Sequence, residues 1–176
     1  MRATTPLILL ACLAGLPAAA QPVTARPTSE TQVVVRGGTG DQDVALWPNP
    51  ATPIQSLIVV ADSNVGLTTY RLDGSEFEVI QSDGIAFGVD VRSGFALPGA
   101  SVPLVVVANG TAQALTAYVV DPVTLRLRRV DTGTLRVTNF DPRSVALYRS
   151  AANSRLYAFA ANAAGTVQQF ELRSNT

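Results

Sequence analysis

The 176-residue sequence contains no histidine, and every one of its 13 basic residues is an arginine. Arginine keeps its proton at any physiological pH and cannot serve as a base. Ser-His-Asp hydrolysis, histidine phosphatase chemistry, His-ligated zinc, Schiff-base catalysis and the phosphate-gripping lysine of P-loop enzymes are therefore excluded together. The only cysteine is Cys12, inside an N-terminal leader. Once that leader is removed, neither a disulfide framework nor thiolate chemistry is available, and stability must come from packing. After residue 21 no apolar run has the length of a membrane-spanning helix. The 13 basic and 13 acidic residues balance to a formal charge of zero, so no electrostatic case exists for nucleic acid or anionic lipid as a partner.

The leader has Met1-Arg2 as its charged start, an apolar run from Pro6 to Leu16, and Ala18-Ala19-Ala20 before Gln21 as a small-residue cleavage site. It predicts a signal peptide over residues 1–20 and an exported protein, periplasmic or extracellular. Leu9-Leu10-Ala11-Cys12 offers a lipoprotein alternative, disfavoured by the short apolar run before Cys12. Residues 21–42 read as a polar, turn-rich arm with one short strand, Gln32–Arg36. From Asp43 onward, runs of four to seven residues rich in Val, Leu, Thr and Tyr alternate with Pro, Gly, Asn and Asp, and no helical period competes.

Those runs repeat. Leu57–Asp62, Leu104–Asn109 and Leu156–Ala161 read as one buried strand in three copies. A second strand follows in register, with Leu67, Leu115 and Val167 at its start, Tyr70, Tyr118 and Phe170 at its fourth position, and Leu72, Val120 and Leu172 at its sixth. Its spacings of 48 (67 to 115) and 52 (115 to 167) residues are those of a propeller blade. Val44–Trp47, Val89–Arg92 and Val145–Tyr148 precede it as a first strand. Phe77–Ile80 and Leu125–Val130 close the first two units as a fourth, and the third unit reaches Thr176 without one. The fold expected is all-β: a partial β-propeller of about three four-stranded antiparallel blades, near residues 43–82, 87–131 and 135–176. A β-sandwich would explain the strands but not the shared register of Tyr70, Tyr118 and Phe170. Closed propellers need at least about four blades, so the open faces need cover from further chain, a second copy or another protein.

Several of these segments resemble motifs of the bacterial β-propeller phytases (3-phytases), a family of secreted six-bladed enzymes. Asp43-Val-Ala-Leu-Trp47 is similar to the family's Asp-Pro-Ala-Ile-Trp, and Gly66-Leu67 with Tyr70 and Leu72-Asp73-Gly74 to its Gly-Leu-x-x-Tyr-x-Leu-x-Gly. Val89-Asp90-Val91-Arg92 with Phe95, and Gln169-Phe170-Glu171-Leu172, match two further strands. The resemblance covers about the first half of the family domain. It implies calcium-dependent removal of phosphate from myo-inositol hexakisphosphate, with several calcium ions held by carboxylates around the central channel.

Carried over position by position, the resemblance makes Asp43 a candidate calcium carboxylate and Arg143 a candidate phosphate ligand, and assigns no catalytic residue. Gln42 stands where the family has an acid, Ser63 and Asn64 where it has lysines, Gly110 where it has an arginine, Arg143 where it has a tyrosine, and Ala163 where it has a lysine. The chain is thus expected to be weak or inactive alone, the alternative being a non-catalytic secreted binding module or a truncated remnant. Asp43 also reads as the cap of a turn, Arg143 as a solvated loop arginine, and Asp90 with Arg92 as a charged pair on one strand face.

Overall fold

The structure, a computed structural model, describes residues 25–28, 30–31, 40, 42–131 and 140–174. The leader and the strand expected at Gln32–Arg36 lie outside them. Among the described residues there is no α-helix, and the strands form three antiparallel sheets. The first contains β1 (Gln42–Trp47), β2 (Leu57–Asp62), β3 (Gly66–Arg71) and β4 (Glu76–Ile80). The second contains β5 (Ala86–Leu97), β6 (Ala100–Asn109), β7 (Ala114–Val120) and β8 (Leu127–Arg129). The third contains β9 (Pro142–Arg149), β10 (Leu156–Asn162) and β11 (Val167–Leu172). Within each sheet every strand pairs with the next in sequence. Neighbouring sheets touch most through their first strands, β1 with β5 and β5 with β9, so the sheets fan outward like blades.

Cross-strand pairing aligns the three sheets row by row. On one face run Val44–Val60–Thr68, Val89–Val107–Thr116 and Val145–Ala160–Gln168. The next row on that face is Leu46–Ile58–Tyr70, Val91–Val105–Tyr118 and Leu147–Ala158–Phe170. Tyr70, Tyr118 and Phe170 are therefore structural equivalents, as their spacing predicts. The buried strand of the third unit is displaced by one residue. Asp62, Asn109 and Asn162 each accept backbone N–H bonds across the turn that follows, from Val65, Ala112 and Thr166 respectively. With those turns superposed, the counterpart of Leu57 and Leu104 is Tyr157, not Leu156. Successive strand side chains alternate faces, so the slip of one residue exchanges the two faces of β10.

The alternation builds two cores. Val105, Val107, Tyr118 and Val120 of the second sheet face Trp47, Leu57, Val59 and Leu67 of the first. Leu104, Val106, Leu115 and Val119 face the other way, onto Val145, Leu147, Leu156 and Ala158 of the third. All seven residues of β7 are buried, as a strand covered on both faces requires. Hydrogen bonds reinforce each junction. Glu78 of β4 accepts the Leu127 N–H of β8 at 2.9 Å and pairs with Arg126 at 3.2 Å. Asp90 Oδ2 accepts the Leu147 N–H at 2.7 Å, and Arg92 Nε donates to the Leu147 carbonyl at 3.0 Å, so one pair of β5 side chains holds both polar groups of a single β9 residue.

Tyr118 completes the second blade. Its hydroxyl donates to Asp83 at 2.7 Å, and Arg129 bridges Asp83 and Asp131. Burial, followed by the bond to Asp83, pushes the Tyr118 phenol well above the ordinary tyrosine range. Tyr118→Phe keeps the ring in the core and leaves Asp83 its arginine, so the loss expected is that of one hydrogen bond, about 1 kcal/mol in urea unfolding. An unchanged midpoint would mean that the hydroxyl contributes nothing.

Candidate functional site

The two positions singled out by the sequence both lie at the start of a first strand, Asp43 on β1 and Arg143 on β9, at the end of the blades that carries the Asp62, Asn109 and Asn162 turns. Asp43 is half-buried, and both of its carboxylate oxygens are engaged. Oδ1 accepts the Val44 N–H at 2.9 Å and Oδ2 the Val89 N–H at 3.0 Å. It caps its own strand and ties the first blade to the second, as Asp90 ties the second to the third. Gly88, next to Val89, lies against the third blade: a Cβ there would stand 2.7 Å from the Ser144 Cα and 3.0 Å from the Val145 nitrogen. Asp43, the Gly88–Val89 backbone and the start of β9 thus form one line across the three blades.

Arg143 donates to Asp141 at 2.6 Å, and its guanidinium lies over the Phe87 ring, 3.9 Å from the centroid. That stacking contributes on the order of 1 kcal/mol at a half-exposed position. The ring also fills the space beside Gly110, where any Cβ would collide with it. An arginine at 110 would have to displace Phe87 and with it the platform beneath Arg143. Phe87 and Asp141 are the partners that the sequence reading missed. Asp141, two residues before Arg143 at a strand start, was within reach of a local argument; Phe87, 56 positions away (143 minus 87), was not.

Ser63 and Asn64 lie in the turn closed by Asp62, and Ala163 is exposed in the turn closed by Asn162. None of the three brings a cation to this end of the molecule. Calcium takes six to eight oxygen ligands and gains affinity from their charge. Among the described residues no group of three or more His, Cys, Asp or Glu side chains is placed to hold a metal ion, and Asp43 already serves two amides. The donor set of the described residues does not fit a calcium centre.

The opposite end of the blades holds a cleft of about 330 Å³ between the second and third sheets, lined in part by Gly94, Arg149, Arg155, Glu171 and Arg173. Its arginines are also committed. Arg173 and Arg155 pair with Glu171 at 2.7 and 3.3 Å, and Arg149 donates to the carbonyls of Ser93 and Ser154. The Arg173 hydrogen bonds, ahead of the Arg155 charge, hold the Glu171 carboxyl below its ordinary pKa.

Three sheets stacked face to face, each advancing from an inner first strand, reproduce the blade architecture that the repeat predicts. The family model described as Phytase matches residues 3–176 of the chain, well over half of it. The chain belongs to the phytase family.

Proposed function

We propose that this chain supplies structural blades to a phytase-type domain acting on the phosphomonoesters of myo-inositol hexakisphosphate outside the cytoplasm, and that the isolated chain does not hydrolyse them. Family membership supports the substrate class, and the leader read in the sequence supports the location. The observation that carries the second half is the state of Asp43. A carboxylate that accepts two backbone N–H groups, one from its own blade and one from the next, acts as an interblade tie. Arg143, stacked on Phe87 and paired with Asp141, is likewise held by protein groups. In a closed domain calcium would supply charge neutralisation and an activated water; the described residues offer it no constellation of ligands.

The test is phosphate release from inositol hexakisphosphate by the purified chain across a calcium titration. Release no greater than a protein-free blank at every calcium concentration is expected. Calcium-dependent release that disappears in Asp43→Asn would overturn the proposal and make Asp43 a metal ligand.

A further inference from the structure

We infer that two copies of this chain associate head to tail, the free face of the first sheet in one copy seating on the free face of the third sheet in the other. The ground is the row-by-row equivalence of the sheets. The face of the second sheet that carries Val91–Val105–Tyr118 is buried against the first sheet, and the face of the third that carries Leu147–Ala158–Phe170 is buried against the second. The matching row of the first sheet is Leu46–Ile58–Tyr70, equally apolar, yet Leu46 is 55% and Val44 63% exposed. Thr68 and Tyr70, farther from the first strand, are already buried, so the part left open is β1 with β2.

The opposite faces obey the same rule. Trp47 and Leu57 of the first sheet, and Leu104 of the second, are buried against the following blade. Their equivalents in the third sheet are Tyr148 and Tyr157, with Phe159 standing where Val59 and Val106 stand. Tyr148 is 52% exposed and Val167, the equivalent of Leu67, is 60% exposed. Among the described residues the first sheet thus carries one half of a blade junction and the third sheet the other, and each half is the complement of the other. The junction already exists twice within the chain, so a third seating repeats an established contact.

A two-fold axis at the centre of the fan makes this contact twice, first sheet to third and third to first, and closes after two copies. Three blades from each copy make a ring of six, inside the range of about four to eight that propellers adopt. Closure also covers the exposed apolar side chains of the two faces, Val44 and Leu46 on one and Tyr148 and Val167 on the other. The inference does not rest on hydrolysis and stands or falls independently of it.

Light scattering coupled to size-exclusion chromatography reads the result. The chain is expected at twice its own mass, and Leu46→Arg and Tyr148→Glu are each expected at the single-chain mass with an unchanged β-sheet circular dichroism spectrum. Both side chains are more than half exposed in the single chain, so neither change enters a core; Val44→Arg and Val167→Glu provide a second variant on each face. Mixing a first-sheet variant with a third-sheet variant leaves one intact junction per pair and is expected to restore the double mass at higher concentration than the unaltered chain needs. A single-chain mass for the unaltered protein, open-ended larger assemblies, dissociation by variants of only one face, or folded variants that fail to associate on mixing would each overturn the inference.

Discussion

Leu104→Ala is expected to lower the unfolding free energy by about 3 kcal/mol. Leu104 is 2% exposed, lies on β6 in the middle sheet, and belongs to the core between the second and third blades. Truncation removes its buried methyl and methylene groups and leaves a cavity whose walls cannot close. Those walls are held by strand pairing, since β6 lies between β5 and β7, and β9, the strand of the third sheet that touches β6, is paired with β10. For a chain of this length the melting temperature should fall by roughly 10 °C, at about 2–4 °C for each kcal/mol. Leu46→Ala, at a position 55% exposed in the single chain, is the control and is expected within about 0.5 kcal/mol under conditions where the chain is single. Urea unfolding of the two variants checks the contrast. Equal losses would mean that the second and third sheets are not packed as described.

Asp90→Ala should cost about 2–3 kcal/mol, although it removes no apolar surface. Asp90 is a bracket, with Oδ1 accepting from Val91 at 2.7 Å and Oδ2 from Leu147 at 2.7 Å. Its removal leaves the Leu147 N–H without that acceptor beside the core, and an unmet buried donor costs more than a made hydrogen bond contributes. Arg92, 3.9 Å from Asp90 and bonded to the Leu147 carbonyl, also loses the charge that orients it. Asp90→Asn keeps one side-chain oxygen and should recover more than half of the loss. In a double-mutant cycle with Arg92→Ala the two sites should be non-additive, because they hold the two polar groups of one residue. Additive losses would show that the residues act separately and would remove the bracket.

These residues mark how far the sequence could be read. Two-residue spacing alone puts Asp90 and Arg92 on one strand face, since alternation is a property of the extended backbone. Their common target, Leu147, is 57 residues beyond Asp90 (147 minus 90) and no local pattern points to it. Asp43 shows the same limit. Its capping bond to the Val44 N–H is local and legible from the chain, whereas its bond to Val89 depends on how two sheets stack. The slip in the third unit has a different origin. Leu156-Tyr-Ala-Phe and Tyr157-Ala-Phe-Ala both alternate plausibly, so hydropathy alone chooses the register by its leading leucine. The shared turn residue at 62, 109 and 162, a side-chain oxygen that accepts backbone N–H bonds, is the better anchor because turn geometry admits few residues.

Strand identity, the blade-sized period, the equivalence of Tyr70, Tyr118 and Phe170, and the exclusion of histidine and lysine chemistry all follow from the order and kind of residues along the chain. They depend on backbone alternation, turn preferences and side-chain chemistry, which act over a few residues or need none. Which face of each sheet is covered, which carboxylates are occupied by neighbouring amides, and that Phe87 lies between Arg143 and Gly110 were decided only when the sheets stacked. Contacts of that kind join residues tens of positions apart, and their partners are set by the packing of whole faces, which no short stretch of sequence encodes.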